Sequence, residues 1–149
     1  MTGPRGISLH IGVNVVDKDH YGGEWDGKLD FAEKDSDDTL QIAKEQGFET
    51  HSLKSQQATR EAVSAAISDA AKQLTDGDFF LISYSGHGGM VTDVDGDEDN
   101  LVDETWCLFN GQLLDDELHI LWSEFDPGVR ILVLSDSCHS GTLLKSIDE

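Results

Sequence analysis

Residues 130–142 read RILVLSDSCHSGT. The run Ile131–Leu134 is apolar without alternation, the pattern of a short strand covered on both faces. It ends in an acid, a thiol and an imidazole set among small residues: Asp136, Ser137, Cys138, His139, Ser140 and Gly141. A second stretch has the same layout, FFLISY at 79–84 followed by Ser85, Gly86, His87, Gly88 and Gly89. In open parallel α/β sheets, sites gather beyond the carboxyl ends of the strands. If the two strands lie side by side, about 4.8 Å apart, His87 and Cys138 leave the sheet at the same rim.

The remaining chain supplies the frame for such a sheet. Ile7, Leu9, Ile11 and Val13 alternate with Ser8, His10 and Gly12, which predicts a first strand. A Gly-rich loop, DKDHYGGEWDG, precedes a helix-compatible segment from Leu29 to Gln46, with Gly47 in the position of a C-terminal helix glycine. FETHSL reads as a second strand. Thr59 can cap a helix whose apolar residues Val63, Ala66, Ile67, Ala70 and Leu74 recur three and four apart. TWCLF and QLL fit a small hairpin, and Asp115 or Asp116 can cap a helix carrying Leu118, Leu121, Trp122 and Phe125. Strands alternating with amphipathic helices predict one α/β domain over residues 1–149, a sandwich around a mainly parallel sheet.

The chemistry follows from the residue types. A free cysteine titrates near 8.5, so little of it is thiolate at neutral pH; a neighbouring imidazole and a following helix N-terminus raise that fraction. Gly86, Gly88 and Gly89 leave room for a peptide carbonyl beside His87, and the amides of Gly88 and Cys138 are candidate donors to an oxyanion. This pattern points to acyl transfer by a Cys-His pair. Asp136 stands two residues before Cys138, on the same side of an extended chain. A carboxylate there raises a thiol pKa, which argues for a different partner, a guanidinium or ammonium of the substrate. Capping of a following helix is the competing explanation for Asp136. Cys107 in TWCLF reads as strand packing, and His10, His20, His51 and His119 as structural.

Composition narrows the partners. Thirty acidic residues face ten Lys plus Arg, a formal charge of -20, which disfavours nucleic acid and favours cationic peptides and divalent metals. Two cysteines do not make a secreted disulfide framework, and no apolar stretch approaches membrane length. The expectation is a soluble, cytoplasmic protein with no membrane partner.

Taken together, YSGHGG at 84–89, DVDGDEDNLVDET at 93–105, LLDDELH at 113–119 and SDSCHSGT at 135–142 resemble the caspase-like clan, and within it the metacaspases and their bacterial relatives. The interval from His87 to Cys138 is 51 residues, close to the roughly 50 of caspases. The resemblance implies a caspase-like three-layer sandwich and cysteine endopeptidase activity with His87 and Cys138 as the dyad. It further implies cleavage after Arg or Lys, with Asp35, Ser85 and Asp136 receiving the basic side chain. Where the family often has Cys and Asn around the first aspartate, Ala32 and Lys34 stand. Calcium is implied as a cofactor on Asp103, Asp115 and Asp116, although the position of the family's further aspartate, seven past the nucleophile, is Lys145. Independently, Asp93–Glu104 carries seven acids in twelve residues, consistent with either a hard-cation site or a solvated loop. Family members continue past the nucleophile into a small subunit, so its strands are expected to be missing here. The last strand would be an open edge for that C-terminal segment or for a second copy, and Lys145 a candidate processing point. An inactive caspase-like signalling or assembly module and a calcium-binding module are the alternative functions.

Overall fold

The computed structural model describes residues 3–92 and 102–139. Strand β1 (Gly6–Gly12) leads through a long loop to α1 (Ala32–Glu45), β2 (Glu49–Lys54), α2 (Arg60–Gln73) and β3 (Phe79–Thr92). Beyond the acidic segment come β4 (Val102–Leu108), β5 (Gly111–Leu114), α3 (Asp115–Trp122) and β6 (Arg130–His139). Together they form one six-stranded mixed sheet in the order β2-β1-β3-β4-β5, with β6 on β3. Strands β1, β2, β3 and β6 are mutually parallel, and the β4–β5 hairpin joins antiparallel at the far end of β3. No helix among the described residues is long and apolar enough to cross a membrane.

The period-two pattern of β1 sorts its residues between two unlike layers. Ile7, Leu9 and Ile11, with Phe80 and Ile82 of β3, join the apolar core that also holds Val63, Ile67 and Ala70 of α2 and Leu118 and Leu121 of α3. The other face is polar: Ser8, His10, Ser83 and Ser85 are all buried beneath α1. Helix α1 can sit low on that face because Ser8, Gly12, Ser83 and Ser85 are small. At Gly12 a Cβ would come within 2.6 Å of the Ala32 carbonyl oxygen, so any side chain would push the start of the helix away. The result is a three-layer α/β sandwich, as expected.

Four points differ from the sequence expectation. Strand β3 does not stop at Tyr84 but runs on to Thr92, because its SGHGG segment finds new partners in β4 and β6. Strand β6 forms as predicted but is not buried: Leu132, Val133 and Leu134 are 56%, 39% and 44% exposed, since among the described residues nothing pairs its outer edge. Leu114, rather than Asp115 or Asp116, is the N-cap of α3, and Glu117 reaches back to its N–H at 3.1 Å. Asp136 lies inside β6, so it caps no helix among the described residues. The bulk of the acidic segment and Lys145 lie outside the described residues.

Candidate active site

Register brings the predicted residues together. The β3–β6 ladder pairs Ser83 with Leu134, Ser85 with Asp136 and His87 with Cys138. Residues paired in register share a face, and those two apart along a strand share it too. Positions 83, 85 and 87 on β3 and 134, 136 and 138 on β6 therefore line the α1 face, with successive pairs about 6.6 Å apart. For Cys138 the backbone is described and the side chain is not; its Cα stands one strand spacing, about 4.8 Å, from that of His87.

His87 is held by residues that the sequence did not single out. Its Nε2 donates to the carbonyl oxygen of Gly27 at 3.0 Å, and because a carbonyl only accepts, Nε2 carries the ring proton. In the neutral ring Nδ1 is then an unprotonated base. It is buried and has no hydrogen-bond partner among the described residues. Trp25 meets the imidazole edge-on at 5.0 Å between centroids. Burial holds the imidazole below its usual pKa, an effect the Gly27 carbonyl partly offsets. The main chain is fixed as well, since Tyr84 Oη donates to the His87 carbonyl at 2.6 Å.

Gly27 sits at φ +59, and a Cβ there would lie 3.2 Å from the Trp25 ring and 3.3 Å from His87 Cδ2. A glycine meets both demands. Its loop is pinned by Val16 N–H to the Asp26 carbonyl and Leu29 N–H to the Asn14 carbonyl, each 2.7 Å. The sequence displayed this as a Gly-rich loop, but nothing local in EWDG reports that it folds over a histidine sixty residues away.

Beside His87 on the same face lies a cavity of about 180 Å³ lined by Asp35, Thr39, Ser83, Ser85, Leu134 and Asp136. Asp35 and Thr39 are one helical turn apart on α1 and so share its sheet-facing side. Ser85 Oγ points at Asp35 Oδ2 from 3.5 Å, the long limit of a hydrogen bond. All three predicted substrate-binding residues thus meet in one hollow. It is smaller than a hollow of about 240 Å³ on the α3 face, which is lined by Gly88, Trp106, Leu118, Trp122 and Val133. Gly88 is where the two ladders of β3 overlap, opposite Trp106 on β4 and His139 on β6.

The other expected residues are dispersed. Cys107 is fully buried among core residues, and burial pushes its thiol up to about 12, which suits packing and not nucleophilic attack. The β4–β5 ladder ends at Thr105 opposite Leu114, so the backbone brings Asp103 and the Asp115–Asp116 pair to one end of the hairpin. Asp115 pairs with His119 at 3.4 Å, and the side chain of Asp103 lies outside the described atoms. No group of three or more potential metal ligands occurs among the described residues.

Residues 28–147 match the family described as the metacaspase, peptidase C14 domain. The chain belongs to the metacaspase family of cysteine peptidases. It is 39% identical over 93 residues to Metacaspase-1 of Botryotinia fuckeliana, covering 59% of this chain and 22% of that protein. Metacaspase-1 of Kluyveromyces lactis is 42% identical over 78 residues, covering 49% of this chain and 18% of the relative. The crystal structure of protein GSU0716 from Geobacter sulfurreducens shares the fold with a TM-score of 0.86 and 55% identity, over 96% of this chain and 54% of that one. The metacaspase chain described here therefore spans about a fifth of those fungal relatives and about half of the solved structure.

Proposed function

We propose that this metacaspase domain is an endopeptidase that hydrolyses peptide bonds after Arg or Lys through Cys138 and His87. The observation carrying this reading is the rung His87↔Cys138 beside an imidazole whose Nδ1 is a free base. In the proposed reaction Nδ1 takes the thiol proton as Cys138 Sγ attacks the substrate carbonyl carbon. The amide N–H groups of Gly88 and Cys138 stabilise the resulting oxyanion, and His87 returns the proton to the leaving amine. Water then attacks the thioester with His87 again as base, releasing the acid and the thiol. The Nε2 bond to Gly27 fills the orienting role that a carboxylate plays in other triads, without adding a negative charge that would favour imidazolium.

Asp35 and Asp136, with Ser85 between them, receive the basic side chain. Two carboxylates at a hollow in a protein of charge -20 suit a cation and repel an acidic residue. Peptides differing only in Arg or Asp before the scissile bond test the reading. Turnover of the Arg peptide alone, abolished in Cys138→Ala, is expected; preference for Asp, or full activity in the variant, contradicts it.

Two partners belong to the same proposal. The open edge of β6 takes a further strand, supplied by a C-terminal small-subunit segment or by a second copy. A calcium ion binds the acids at the end of the β4–β5 hairpin, Asp103, Asp115 and Asp116, as oxygen ligands suited to a hard cation. Millimolar calcium is then expected to raise the melting temperature of the parent chain and not that of Asp116→Asn; equal shifts, or none, remove the calcium.

A further inference from the structure

The polar layer beneath α1 contains a closed hydrogen-bond network that the dyad does not use. His10 is 0% exposed. Its Nδ1 lies 2.9 Å from both Thr39 Oγ1 and Ser83 Oγ, and its Nε2 lies 2.8 Å from Ser8 Oγ. Thr39 Oγ1 and Ser83 Oγ are also 2.9 Å apart, and Thr39 Oγ1 donates to the Ser36 carbonyl at 3.0 Å. Ser83 and Thr39 together form part of the wall of the cavity that holds Asp35, Ser85 and Asp136.

Proton accounting fixes what that wall offers. A hydroxyl has one proton; with that of Thr39 on the Ser36 carbonyl, two arrangements of the rest remain. If His10 carries its proton on Nδ1, it donates to the two hydroxyl oxygens, accepts from Ser8 at Nε2, and the proton of Ser83 goes to Thr39. In the other tautomer Nε2 donates to Ser8 and the proton of Ser83 goes to Nδ1. Either way both protons point away from the cavity, and Ser83 keeps a lone pair for it. Burial keeps the ring neutral at physiological pH, so no positive charge stands behind the cavity.

We propose that His10 is a positioning residue for substrate selection, locking Ser83 with the help of Thr39 so that this cavity presents a neutral oxygen acceptor beyond its two carboxylates. The proposal rests on the reading above that the cavity receives a basic side chain. A guanidinium brings five N–H donors in a rigid plane and an ammonium three on a rotating head, so an extra acceptor fixed in place serves Arg more than Lys. Buried polar clusters also occur purely to satisfy one another, and a selectivity measurement separates the two roles.

The test compares kcat and KM for peptides with Arg or Lys before the scissile bond. Thr39→Val keeps shape and loses the oxygen that takes the Ser83 proton; Thr39→Ser keeps that oxygen; Ser83→Ala removes the acceptor itself. Hydrogen bonds to a charged group are strong enough that losing one is expected to lower the Arg-to-Lys ratio of kcat/KM about tenfold in Thr39→Val and Ser83→Ala. The loss should appear in KM, with kcat within about twofold and Thr39→Ser close to the parent. His10→Phe should reproduce Ser83→Ala; if it does not fold, the Thr39 pair decides alone. An unchanged ratio, an equal loss for both substrates, or a loss confined to kcat overturns the proposal and leaves cleavage after basic residues standing. A parent chain that cleaves neither peptide, or prefers Asp, overturns both readings together.

Discussion

At the scale of single residues, two histidines of the sheet are bonded in opposite ways. His87 has one nitrogen tied to Gly27 and the other left without a described partner, whereas His10 has both nitrogens engaged. In the proposed reaction the first moves a proton, and in the proposed selection of substrate the second holds its surroundings still. Gly27→Ala would force a side chain onto φ +59 and against His87 Cδ2. Steady-state kinetics should show kcat falling about tenfold or more with KM little changed, since misplacement of a base costs the chemical step. For His10 the pKa drops from 6.5 to about 4 on folding. Between those values the unfolded chain binds the proton and the folded chain does not, so stability is present above pH 6.5 and is lost as pH falls toward 4. The shift corresponds to on the order of 3 kcal/mol. Chemical denaturation at pH 7 and at pH 4.5 should show a drop that is smaller in His10→Phe; an equal drop would locate the acid sensitivity elsewhere.

At the scale of elements, β6 carries the most consequence because it has two duties. Its paired edge sets the register that aligns Cys138 with His87, and its outer edge has no partner among the described residues and carries three exposed apolar residues. Such an edge invites another strand, and a lysine on it discourages pairing. Leu132→Lys should leave circular dichroism unchanged while lowering concentration-dependent light scattering, together with the association of any added C-terminal segment. Unaltered association would mean that the edge is not the docking surface. Helix α1 contributes differently. Asn14 Oδ1 accepts from the Glu33 N–H at 3.0 Å, which anchors the first turn and therefore the placement of Asp35 above Ser85.

At the scale of the whole molecule, what could be read in advance was what depends on local periodicity or a compact motif. Alternation in β1, three-four spacing in α2 and the continuous run at 79–84 each specify an element because burial of one face or two imposes that period. His87, Cys138 and Asp136 were singled out because they sit in short motifs at strand ends, and Asp35 and Ser85 only through the resemblance to metacaspases. Gly27, Trp25 and Thr39 were not, since their importance arises only when a loop and a helix close over the sheet from distant parts of the chain. The apolar run of β6 alone predicted a covered strand, and only the resemblance led to an open edge: such a run records which surface wants to be covered, not whether a neighbour is there to cover it.

The dyad and its basic specificity can be tested in one experiment, intact-mass analysis after incubation with a peptide ending in an arginyl chloromethyl ketone. The account predicts a single stoichiometric adduct mapped to Cys138, absent in His87→Ala and absent with the matching aspartyl reagent. Equal labelling by the aspartyl reagent, an adduct on Cys107, or no adduct on the parent chain would contradict it.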